Sequence, residues 1–140
     1  MNREIKFRGK RSDNSKWIYG DLIENQGRFY IYHACTETTL SDEENTITIV
    51  ATKVQNETVR QFTGLYDKNG KEIYEGDIVQ LDYITTIGKH RTGLSFEVKW
   101  CTQEGCWVGW DGFVENALQQ THKMFVVKGN IYDNKELLED

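Results

Sequence analysis

Apolar and polar residues alternate along most of this chain, with the two-residue period of strands rather than the 3.6-residue period of helices. Ile5 and Phe7 interleave with Glu4, Lys6 and Arg8. Trp17, Tyr19, Leu22 and Ile23 make a second run, and Arg28 to His33 (R-F-Y-I-Y-H) a third. Polar turns separate them at 9–15 and at Asn25-Gln26-Gly27, where glycine and asparagine tolerate positive φ. The aromatic and β-branched content of these runs suits a pleated, half-covered surface. From Thr36 to Asn45 only Leu40 is apolar, too little to offset ordering entropy, so this stretch reads as a mobile loop. Thr46 to Val50 resumes the alternation.

The segment Gln61 to Val79, Q-F-T-G-L-Y-D-K-N-G-K-E-I-Y-E-G-D-I-V, compresses a strand, a turn at Asp67-Lys68-Asn69-Gly70, and the start of further strands. Ile78 to Leu81 opens a longer strand, 88–93 is a turn, and Leu94 to Trp100 alternates cleanly. Thr102 to Gly105 turns the chain back to Trp107–Trp110. The pattern predicts a helical turn over Glu115–Gln120, a buried strand over Met124–Val127, and a short C-terminal helix, Lys135–Leu138, capped by Asn134. The fold class expected is mainly β: antiparallel strands in N-terminal β-hairpins and a small barrel, with that short C-terminal helix. A chain of 140 residues without proline suits one domain, 1–140, divisible into two lobes at 1–56 and 57–140.

Charge changes this picture only locally. Seventeen basic and 22 acidic residues give a net −5. Residues 1–20 hold six basic groups against Glu4 and Asp13, an excess of +4, whereas 21–80 hold five basic and eleven acidic groups, −6. The basic end could meet a polyanion, but a solvated strand face is the plainer reading, and the molecule as a whole is not drawn strongly to nucleic acid. No stretch approaches the roughly 18 apolar residues of a membrane helix, and no apolar run follows the first residues as in a secretory leader. The expectation is a cytoplasmic protein without membrane contact, its three cysteines reduced.

Candidate chemistry is sparse. Trp100, Trp107, Trp110 and Phe113 crowd together, either as a stacking platform for single strands or as barrel core. Trp107 and Trp110, beside Gly105, Gly109 and Gly112, are expected to be the exposed ones. With Arg8 and Lys10 on the basic first strand, they form the candidate binding set. Cys101 and Cys106, spaced C-x4-C, invite zinc together with His122, or with His33 and Cys35. Structural zinc usually wants two tight pairs and this is one loose pair, so no metal and no cofactor are expected. No Ser-His-Asp order, H-E-x-x-H helix or phosphate-cradling glycine loop is present, and Glu75 and Asp77 around Gly76 read as turn chemistry. No catalytic residue is assigned.

Three blocks resemble one family. The opening R-E-I-K-F-R-G-K from Arg3 with W-I-Y-G-D-L from Trp17, the block from Glu57 to Val79, and G-N-I-Y-D-N-K-E-L-L from Gly129 are similar to the YopX family, in the right order and across nearly the whole chain. Two positions depart from its usual pattern: Lys135, where proline is common, and Arg60, where glycine is. The resemblance implies a predominantly β fold encoded by bacteriophages and prophages, mostly of Gram-positive hosts, in a family without assigned activity or catalytic residues. The E-G-D-I-V-Q-L string also looks like the opening strand of SH3-like small barrels. The function expected is that of a non-enzymatic phage or prophage accessory protein acting by binding, to a host or phage protein or to itself through an open strand edge. The alternative is a nucleic-acid-binding small barrel, a class in which fold alone does not decide function.

Overall fold

Strand β1 (Phe7–Lys10) begins where the first apolar–basic alternation was read, and a polar turn hands the chain to β2 (Trp17–Asn25). The computed structural model describes residues 4–34 and 49–139, except the side chains of 33, 34 and 49; the stretch read as a mobile loop lies outside them. Strands dominate, arranged in two antiparallel sheets. The chain divides into two compact units, Met1–Gln61 and Phe62–Asp140.

In the first unit β2 turns into β3 (Arg28–Ala34) through Gln26 and Gly27, both with positive φ, the geometry whose twist matches a two-residue hairpin. β3 pairs in turn with β4 (Ile49–Lys53), so the order is β4-β3-β2-β1. The register puts Phe7, Ile18, Leu22, Phe29 and Ile31 on one face, with Val54 following beyond β4. Ile31 and Val54 are fully buried there. Gly20 is required on this face, because a Cβ would collide with the Tyr32 carbonyl. The opposite face carries Arg8, Lys10, Trp17, Tyr19, Tyr30, Tyr32 and Lys53.

A 3-10 turn, Asn56–Thr58, closes the unit. The Thr58 hydroxyl accepts from the Lys10 amide (2.9 Å) and donates to the Gln55 carbonyl (2.7 Å), while the Gln55 amide donates to the Lys10 carbonyl (2.8 Å). β5 (Arg60–Tyr66) then pairs through Arg60 and Gln61 with Arg8 and Phe7. Thr58, Arg60 and Gln61 are thereby tied to β1, within the unit Met1–Gln61.

The second unit holds the rest of β5 with β6 (Glu72–Tyr74), and a five-stranded sheet of order β10-β9-β8-β7-β11. Its strands are β7 (Asp77–Ile84), β8 (His90–Cys101), β9 (Cys106–Trp110), β10 (Glu115–Ala117) and β11 (Phe125–Asn130). Between β10 and β11 lie α1 (Leu118–Thr121) and a 3-10 turn, His122–Met124. Ile73, Val79, Phe96, Val98, Trp107, Leu118, Phe125 and Val127 form one buried cluster.

Buried carboxylates fasten the segment from Gln61 to Val79. Asp67 accepts from the Asn69 and Lys71 amides at 2.8 and 2.9 Å with one oxygen, and from the Val127 amide at 2.9 Å with the other. The Lys68 amide donates to the Phe125 carbonyl. Asp67 thus builds its own turn and joins that turn to β11. Asp77 accepts from the Tyr74 amide at 2.7 Å, as the turn reading of Glu75-Gly76-Asp77 required.

Two helical expectations change. Glu115–Ala117 is strand, paired with Val108–Trp110, so the helical turn starts only at Leu118. The C-terminal helix is a single 3-10 turn over Lys135–Leu138 and Asn134 gives it no side-chain cap, because the Asn134 side-chain oxygen already accepts from the Asn130 amide (3.2 Å). No closed barrel forms among the described residues: β10 and β11 are the two edges of the five-stranded sheet.

Candidate functional site

The inner face of the five-stranded sheet does not end where the core ends. β7 and β8 run past their neighbours: β11 pairs β7 only over Asp77–Leu81, and β9 pairs β8 only over Glu97–Cys101, leaving the rest of the hairpin as a two-stranded arm. Leu81 and Tyr83 carry the apolar face of β7 outward, and Phe96 and Leu94 carry that of β8. With Val114, Asn116, Met124 and Phe125 they line an open groove of about 360 Å³. Leu94 is 60% and Val114 56% exposed. Arg91 pairs directly with Tyr83 and shares this face, at the arm side of the groove.

Asp111 lines the opposite side and organises it. One of its oxygens accepts from the Phe113 and Val114 amides, both at 2.8 Å. These amides, Val114 first, hold the Asp111 carboxyl below the usual carboxylate range. The turn they fix presents Phe113 to solvent, 89% exposed, beside the groove. The outer side of the arm carries a second polar cluster: Asp82 faces His90 Nε2 at 2.6 Å and Lys68 Nζ at 3.4 Å. The bond to His90 is the main reason the Asp82 carboxyl lies below its ordinary range.

The residues singled out in the sequence are not brought together. Arg8 is buried on the sheet of the first unit, its guanidinium carbon 4.5 Å from the centroid of the Trp17 ring, with Lys10 Nζ 5.4 Å from the same centroid. Trp107, expected to be exposed, is in the core of the second unit, its ring edge-on to Trp100 at 5.0 Å. The glycine beside it explains the reversal: the space at Gly109 is filled, and a Cβ there would stand 3.1 Å from the Phe96 Cβ. Trp110 is half-buried. The most exposed aromatic of this stretch is Phe113, ahead of Trp100 at 43%, and the signal for it was the D-G turn interrupting the strand alternation just before it.

The cysteine reading resolves into a strand pair. Cys101 and Cys106 face each other across β8 and β9 as free thiols. Burial pushes the Cys106 thiol up, and negative charge nearby adds to it, which lowers its thiolate fraction. His122 is committed elsewhere: its Nδ1 lies 2.5 Å from the Tyr66 carbonyl, which can only accept, so Nδ1 carries the proton. The His33 side chain and Cys35 lie outside the described residues. No group of three metal-ligating side chains gathers among the described residues. None of their helices is long and apolar enough to cross a membrane.

Two antiparallel sheets, one small core and an open groove define a mainly β protein. The chain belongs to the YopX family, whose description, YopX protein, matches residues 6–139. The crystal structure of protein EF1440 from Enterococcus faecalis has a similar fold, with TM-score 0.63 and 23% identity over 99% of this chain and 100% of that one. No curated protein matches.

Proposed function

We propose that this protein is a non-enzymatic accessory protein of a phage or prophage, acting in the host cytoplasm by binding a host or phage protein or itself. The observation that carries the reading is the groove of the second unit. Its lining is mostly apolar, and its one carboxylate, Asp111, is engaged in shaping a turn rather than paired with a base or nucleophile. The second unit further reads as an SH3-like lobe: β7 to β10 meander in order, a helical turn follows β10, and β11 returns to pair with β7. Tagged protein expressed in infected host cells should retain a defined partner, lost when Leu94→Asp places a charge in the groove. Identical capture by wild type and variant would overturn the groove as the binding surface.

A nucleic-acid reading rests on a different observation. The first unit collects Lys10, Trp17, Tyr19, Tyr30, Tyr32 and Lys53 on one sheet face, the mixture of bases and rings that binds single strands. It excludes Trp107, which is buried, and predicts oligonucleotide binding at low salt that weakens with Lys10→Ala. Absence of binding at low salt disposes of it.

A further inference from the structure

The groove and its rim are complementary to each other. Phe113 is an aromatic knob held out by a fixed turn, and one residue further on Val114 lines the hollow. Arg91 stands on the arm side of that hollow and Asp111 on the other, opposite charges on one face. A two-fold axis over this face would repeat each feature on both copies, bringing each knob to a hollow and each Arg91 to an Asp111. We propose that a second copy of this chain occupies the groove, each protomer inserting Phe113 between Leu94 and Tyr83 of the other.

The partner is a second copy, rather than an unrelated peptide, because both halves of the contact, shape and charge, are present on one surface. A heterologous partner would account for the hollow but leave the exposed Phe113 without a use. Exposed apolar residues of this kind are the material of interface centres, and an opposite-charge rim fixes register. The proposal rests on reading the groove as a binding surface and names its occupant.

Sedimentation equilibrium of the full chain over a concentration series tests it. The wild type should dimerise reversibly, and Phe113→Ser should raise the dissociation constant at least about tenfold, as loss of a central aromatic anchor does. Its melting temperature, extrapolated to the monomer, should not change, because the side chain is exposed. Asp111→Asn keeps the oxygen that holds the turn and removes the charge. Asp111→Asn and Arg91→Gln should each weaken the dimer, and together no more than either alone, because they remove one pairing. A wild type that stays monomeric at its solubility limit overturns the proposal, as does a dimer indifferent to Phe113→Ser or a double variant whose effects simply add. A monomer that still captures a host or phage protein through the groove would remove the second copy and leave the binding reading intact.

Discussion

The second unit encloses eight buried apolar residues in one cluster, whereas among the described residues the first unit completely buries only Ile31 and Val54 of its apolar side chains. The first unit is instead held by ladder bonds, by rings half-covered on both faces, and by Thr58, whose hydroxyl bridges the 3-10 turn to β1. The contrast shows two ways of stabilising a sheet. Burial of side chains is non-directional, and its loss scales with the volume removed; a hydrogen-bonded closure rests on a few atoms and contributes less per group.

Truncation should expose the difference most strongly. Leu118→Ala, inside the cluster of the second unit, is expected to lower stability by about 4 kcal/mol in urea unfolding, because the surrounding strands cannot collapse into the hole. A loss below that of the equally buried Ile31→Ala would contradict the comparison. Next comes Asp67→Ala, which leaves three amides without their acceptor and should cost about 3 kcal/mol. Asp67→Asn should recover only part of it, since an amide accepts more weakly than a carboxylate.

Thr58→Val keeps the shape and removes the bridge of the first unit. A loss of about 1.5 kcal/mol is expected, together with faster amide exchange at Lys10; unchanged exchange there would show that the ladder alone suffices. The smallest effect is electrostatic. Folding lowers the Asp82 carboxyl below its ordinary value, so the contribution is present at neutral pH and is lost as pH falls through the folded value. His90→Gln should move that carboxyl, followed by NMR, back toward its ordinary range, without a measurable change in melting at neutral pH.

Much of the architecture was legible in the alternation, because a strand with one covered face writes its period into the sequence. Gln26-Gly27, Asp67–Gly70 and 102–105 fell where turn chemistry placed them. The register was not legible. Trp107 and Trp110 differ by three positions, and only the pairing of Trp100 with Trp107 and of Glu97 with Trp110 decides which indole enters the core. The same holds for the site. Leu94 and Val114 are twenty residues apart and share a groove because β8 and the loop before β10 flank one sheet face, a fact of topology rather than of local pattern. The helical turn at Lys135–Leu138 fell where it was read, as a 3-10 turn, but its cap did not, because a local cap rule cannot see that Asn134 is already engaged by Asn130. Asp67 looked like an ordinary turn residue, since two of its three partners are local and the third is sixty positions away.

That distant partner bears on how the protein is made. A ribosome releases Asp67 well before Val127, and until then the carboxylate has only its neighbours to hold. Closing such a long loop is slow compared with forming the turn itself, so the second unit has a waiting period in which its nascent turn is shaped but unfastened. During that interval the edge of β7 that β11 will later pair stands open to other chains, and crowding by sibling polypeptides, rather than heat, is the hazard that synthesis in quantity would bring.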